Sequence, residues 1–346
     1  MKTDRNWNIF LTLLRGGLWE RDVRLEAAPD PSSWESLRQL ALDQAVLGLF
    51  LRGVTHLPED QLPPPDERTL MQAWEAAVAG VNVRIGRVES ELLRRLRQAG
   101  VHPIIQKGSA AACHYVTPEL RQGGDIDVFC PEFDLACSLV PDARPAPDGA
   151  AVFVREGVTV ELHPRYYDLH RDPSCLPPPE TPCGELLLLS AHILKHAVGA
   201  GVGCKQLCDM ARALDALTGK YDKSELEVWL RRAGLLRWHR LLCSLLVEDF
   251  GLDPACCLDG FHPCRPGALR RIVRSGGHFG RTAPGRGRAL KRRPALRKID
   301  TALAFLRRLP FSLRYAPRET FATIGMLVKG NIGGAPRRDD RLPGNR

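Results

Sequence analysis

No stretch of this chain approaches the roughly 20 apolar residues that a helix needs to cross a bilayer. Its start, Met1-Lys2-Thr3-Asp4-Arg5, leads into a charged, tryptophan-bearing segment and not into the apolar core of a secretory leader. Cys-x-x-Cys pairs and the His-Glu-x-x-His helix are both missing, which removes the strongest zinc signatures. The 11 cysteines are scattered over 346 residues and odd in number, unlike the dense framework of a small secreted domain. Free, mostly buried thiols in a reducing cytoplasm are the expectation, with no membrane span. The basic segment 265–298 has almost no aromatics beyond Phe279, so an RNA footprint there has little stacking surface.

What is present is globular. At 44% hydrophobic and 26% charged residues, the chain has material for two or three compact units. A formal net charge of +9 suits nucleic acid, triphosphates or plain solubility, and does not choose among them.

Helical spacing dominates residues 6–51, with Trp7, Phe10, Leu11 and Leu14 in one stripe and Trp34, Leu37, Leu40, Ala41, Ala45 and Leu49 in another. After a proline-rich link at 57–66, a long helix is predicted over 69–98. Its apolar face is Ala73, Ala76, Ala77, Val81, Ile85, Val88, Leu92 and Leu96, and Gly100 stops it before a strand at Val101. Strands at 151–155 and 158–163 about Glu156-Gly157 read as a hairpin, in a mixed sheet of three or four strands. Proline returns at 173–182, and helices follow at 185–196, 204–217 and 223–250. From Asp259 Gly, Pro and Arg dominate, up to a helical patch at 296–309, and disorder is expected at 333–346. The predicted division is 1–68, an N-terminal helical region; 69–172, a core; 183–252, a helical lobe; and 253–346, a basic, partly irregular region.

The chemistry concentrates between His102 and Glu161. Asp125 and Asp127 lie two apart in the apolar run Ile126-Asp127-Val128-Phe129, and strand geometry puts both side chains on one face. Two carboxylates aimed at one point repel unless a cation lies between them, and oxygen ligands suit Mg²⁺ or Mn²⁺. Glu161, in Val158-Thr159-Val160-Glu161, offers a third ligand from a neighbouring strand. Lys107-Gly108-Ser109 is a turn whose amides, hydroxyl and ammonium suit a phosphate.

The order Lys107-Gly108-Ser109, then Tyr115, Pro118 and Arg121, then Gly124-Asp125-Ile126-Asp127-Val128, then Glu161-Leu162-His163 resembles the uncharacterised nucleotidyltransferase family of the polymerase-beta-like superfamily. The resemblance is clearest over residues 104–163. The insert between Ser109 and Asp125 is longer than in distant superfamily members, so a nucleotide pose is not carried over from them. The resemblance implies an α+β fold, with a small mixed nucleotidyltransferase sheet flanked by N-terminal helices and a C-terminal helical lobe. It also implies a metal-dependent enzyme that moves an NMP from an NTP to an acceptor of unknown kind (small molecule, protein or RNA) and releases pyrophosphate. Asp125, Asp127 and Glu161 are then metal-binding and catalytic, and Lys107, Gly108, Ser109 and Arg121 nucleotide-binding.

Each residue has a plainer reading. Glu161 is otherwise a solvated hairpin acid, Lys107 a strand-end charge, and Arg121 half of an ion pair with Glu119 or Asp125. His163 shares the face of Glu161 without an assigned role. His192, His196, Cys204 and Cys208 have spacings of four that suit zinc or simple packing, and Lys205 and Asp209 lie where a lobe can face the nucleotide. A non-catalytic nucleotide- or RNA-binding module and a phosphotransferase at the same site are the rival functions.

Overall fold

The stripes before residue 56 fold as three helices, α1 (Lys2–Trp19), α2 (Pro31–Asp43) and α3 (Leu47–Thr55). The computed structural model describes residues 2–146, 148–170, 172–199, 201–276, 307–322 and 324. Asp30 caps α2 by accepting the Ser33 N–H at 2.7 Å, with Pro31 supplying a helical φ in the first turn. The backbones of α1 and α3 touch where they cross. A Cβ on Gly53 would lie 1.7 Å from the Leu13 carbonyl oxygen, and one on Gly17 1.9 Å from that of Leu49.

The long helix α4 (Pro65–Gln98) starts at Pro65 and ends before Gly100, whose φ of +86° suits glycine. Its expected apolar face is only half used: Val88, Leu92 and Leu96 are buried, whereas Ala73, Ala76, Ala77 and Val81 are exposed. The reason is length. Thirty-four helical residues extend about 50 Å and the longest strand beneath only about 20 Å, so α4 overhangs the sheet.

The sheet has five strands: β1 (Ile104–Ile105), β2 (Ile126–Phe129), β3 (Arg144–Pro145), β4 (Ala151–Arg155) and β5 (Val158–His163), in the order β1-β2-β5-β4-β3. The strand expected at Val101 forms only at Ile104–Ile105, and β3, also of two residues, carries too little pattern to be recognised in sequence. β2 and β5 are parallel and the other pairs antiparallel. The β4–β5 hairpin turns at Glu156 and Gly157, both at positive φ (+50° and +76°), as a two-residue primed turn requires. Ile126, Val128, Val160 and Leu162 pack beneath the sheet against Val88, Leu92 and Leu96 and against Ala136 of a short helix, Phe133–Ser138. Alternation sends Asp127, Glu161 and His163 to the opposite face.

That face looks toward the helical lobe. After a short helix at Ser109–Ala112 (α5), and counting Phe133–Ser138 as α6, the lobe comprises α7 (Pro182–Val198), α8 (Cys204–Leu217), α9 (Lys223–Ala233), α10 (Leu236–Phe250) and α11 (Gly267–Gly276). The single helix expected over 223–250 is broken by Gly234 in the left-handed region (φ +76°). The irregular stretch expected after Asp259 contains α11, and 307–315 is also helical. The rest of the patch at 296–309, the basic segment beyond 276, Phe279 and the tail 333–346 lie outside the described residues.

The N-terminal helices and the lobe share one apolar core, running from Trp7 and Phe10 through Phe50 to Trp238 and Phe250. Polar ties reinforce it: Trp19 Nε1 donates to the Phe250 carbonyl at 2.7 Å, and Gln44 Oε1 accepts from the Cys204 N–H at 2.9 Å. All eleven cysteines are free thiols, seven of them buried. Among the described residues no helix is long and apolar enough to cross a membrane.

Candidate active site

Parallel pairing of β2 with β5 sets Asp127 directly beside Glu161, and Phe129 beside His163. Because both acids occupy the same pleat phase, their side chains rise together on the lobe-facing side. His163, two residues beyond Glu161, rises with them. Its Nε2 lies 3.0 Å from Asp127 Oδ1 and 3.6 Å from Glu161 Oε2. One ligand atom from each of the three residues lies within 4.8 Å of the other two.

Lys107, in the turn after β1, brings its Nζ to 3.0 Å from Asp127 Oδ1. Burial alone would push the Asp127 carboxyl up, but Lys107 and then His163 outweigh it and hold it well below the ordinary range. Glu161 moves the other way: burial first, then Asp127 and Asp125, push its carboxyl up. Neighbouring acids with opposite shifts form a site in which one is firmly ionised and the other is suited to proton exchange.

Asp125 sits just ahead of β2 and lines the same polar cavity, of about 230 Å³, outside the three-residue cluster. Gly108 adopts φ +65°, a backbone state that side chains rarely take, and starts α5. Ser109 Oγ lies 2.7 and 2.6 Å from the two carboxylate oxygens of Glu89 on α4. Arg121 is deeply buried, with Nε and Nη2 donating to the two oxygens of Asp209 on α8 at 2.7 and 2.8 Å. Its partner is therefore neither Glu119 nor Asp125.

The lobe supplies the rest of the wall. On α7, His192 Nδ1 lies 3.5 Å from Lys107 Nζ and 3.6 Å from Asp168 Oδ2, and its ring stands edge-on to that of His196 at 4.4 Å. Lys195 Nζ is 3.0 Å from Asp168 Oδ1. Burial would raise the Asp168 carboxyl, but His192, Lys195 and Lys107 together lower it. Lys205 on α8 is pulled down to about 8 by burial and then by Arg121. Its Nζ would lie 3.4 Å from a Cβ at position 124, so Gly124 leaves room for it beside Asp125.

Sequence spacing grouped His192 and His196 with Cys204 and Cys208, but the fold separates them. Both histidines line the polar cavity and both cysteines are fully buried in the lobe. Among the described residues, Asp127, Glu161 and His163 form the one group of three or more metal-ligating side chains. Asp168 escaped the sequence reading because it sits in no motif; only the packing of α7 brings His192 and Lys195 to it.

Two carboxylates and an imidazole converging this closely fit a divalent cation. The mixed five-stranded sheet, with helices on either side, is consistent with a nucleotidyltransferase fold. Residues 30–182 match the family described as "Uncharacterised nucleotidyltransferase". That segment runs from the cap of α2 through the whole sheet to the first residue of α7, and it contains the motif order read from the sequence. No curated protein and no solved structure matches the chain.

Proposed function

We propose that this chain is a divalent-metal-dependent nucleotidyltransferase that moves a nucleoside monophosphate from an NTP to a hydroxyl or phosphate of an acceptor. The observation that carries the reading is the side-by-side placement of Asp127 and Glu161, with His163, around one point. Asp125 and Asp127 would hold Mg²⁺ or Mn²⁺, and Glu161 would complete the set. A cation held there offsets the charge that builds on the phosphate oxygens and eases ionisation of the acceptor.

The acceptor oxygen bonds to the α-phosphorus while the bond from that phosphorus to the bridging oxygen breaks, and the electron pair leaves with pyrophosphate. Glu161, beside that point, takes the acceptor's proton as the new bond forms. Gly108 at the turn contacts the phosphates, with Ser109 lining the adjoining cleft, and Lys107 and Lys205 supply positive charge. Arg121, committed to Asp209, fixes the segment that leads into Asp125.

The test uses ATP labelled on either the α- or the γ-phosphate, with Mg²⁺ and a cell-extract fraction as the source of acceptor. Label from the α-phosphate on an acceptor supports the reading. Transfer from the γ-phosphate alone replaces it with phosphotransfer.

A further inference from the structure

A second cleft, of about 250 Å³, opens between α4 and residues 107–126. It shares Lys107, Gly108, Arg121 and Asp125 with the polar cavity, so the two meet at the glycine turn. Each is smaller than the roughly 300–1,000 Å³ of typical small-molecule sites, and only joined do they reach that range.

Their chemistry differs. The polar cavity carries the acids, lysines and histidines described above. The cleft carries an apolar wall of Ala79, Val83, Ile85, Ala112 and Pro118, with Glu89, Ser109 and Glu119 among its polar lining. Positions 79, 82, 83 and 86 recur at helical spacing, so this wall is a continuous stripe on the overhanging part of α4. Val83 there is 72% exposed, an apolar side chain left facing water. The opposite wall is held firmly. Asn82 Nδ2 donates to the carbonyls of Glu119 and Arg121 at 2.6 and 2.8 Å, and its Oδ1 accepts from the Gly123 N–H at 3.0 Å. The polar atoms of Asn82 are thus spent on the fold, and those of Glu89 and Ser109 on each other, which leaves the apolar wall as the open contact surface.

We propose that this cleft receives the nucleoside end of the nucleotide, while its phosphates occupy the adjoining polar cavity. The inference rests on the nucleotidyltransferase reading above. A flat, uncharged base with apolar faces matches the apolar wall of the cleft, the phosphates match the cavity's lysines and a cation on its acids, and the shared wall at Gly108 joins the two parts of one ligand. Gly86, at the C-terminal end of the stripe, has no neighbouring heavy atom within 4 Å of where a Cβ would stand, so it leaves the cleft open.

Calorimetric titration of the full chain with ATP and with inorganic tripolyphosphate, both with Mg²⁺, tests this. Gly86→Leu fills the cleft on a helix that leucine suits better than glycine, so its melting temperature should equal or exceed that of the wild type. The expected result is an ATP affinity reduced about tenfold or more with tripolyphosphate binding unchanged. Gly80→Leu, also on open helix but outside the cleft, should bind both as the wild type does. An unchanged ATP affinity in Gly86→Leu would overturn the inference and leave the cleft to the acceptor. Equal loss for both ligands would overturn it as well. A wild-type chain that binds neither ligand refutes the nucleotidyltransferase reading itself, and the inference with it.

Discussion

Arg121 and Asp209, separated by 88 residues in sequence, form a two-pronged ion pair at 2.7 and 2.8 Å, and the Tyr115 hydroxyl donates to the same Asp209 oxygen at 2.7 Å. The pair ties the loop before Asp125 to α8, joining sheet and lobe across the polar cavity. Burial would raise the Asp209 carboxyl, but Arg121 outweighs it. Asp209→Ala leaves a buried guanidinium without its counter-charge, at a cost of about 3–5 kcal/mol. Urea denaturation should show that loss, and a variant as stable as the wild type would refute the linking role.

Glu161→Gln keeps the shape of the side chain and removes its charge. Manganese binding, followed by the paramagnetic signal of the ion, should weaken, and transfer should fall on the order of 10²-fold, since metal stabilisation of phosphoryl charge is worth several kcal/mol. An Asp125→Asn, Asp127→Asn double variant that kept full activity would remove the metal proposal altogether.

Gly53→Ala should destabilise the fold by about 3 kcal/mol, because α1 and α3 must separate to admit a methyl group where a backbone oxygen now stands 1.7 Å away. Gly80→Ala on α4 has no such neighbour and should gain about 0.5–1 kcal/mol from helix propensity. Thermal melting of the two variants checks both signs together.

His239, fully buried beside Ser190, has its imidazole pulled down to about 4 by burial and then by Arg240. The folded state keeps it neutral, whereas the unfolded chain protonates it near pH 6.5. Its contribution is therefore intact above about pH 6.5, declines as pH falls toward 4, and is about 3 kcal/mol in all. His239→Gln should flatten the difference in stability between pH 7 and pH 4.5. An unchanged slope would show that other groups set it.

The elements most legible in the sequence were those whose signal is local. The 151–163 hairpin was legible from the two strands about Glu156-Gly157, and the span 204–217 was expected as the helix it forms. The same kind of signal misled at Ala73 to Val81, where periodicity marks an apolar face but says nothing about how far its partner extends. At Gly234 a single left-handed residue divides the span 223–250, which was expected as one helix. The acid spacing and the glycine turn placed Asp125, Asp127, Gly108 and Glu161 around one cavity. The partners of Arg121, Ser109 and Lys107 were out of reach, because each contact depends on how α4, α7 and α8 pack on the sheet.

By itself, then, the sequence determined the order of the motif and the side-chain phase of each strand, because both follow from backbone geometry over a few residues. Only the tertiary structure decided that Glu161 stands in register with Asp127, that His163 joins them, and that Arg121 belongs to Asp209. Those pairings are set by strand register and helix docking, which minimise exposed apolar surface and unpaired buried charge over the whole chain and leave no mark in the spacing of neighbouring residues.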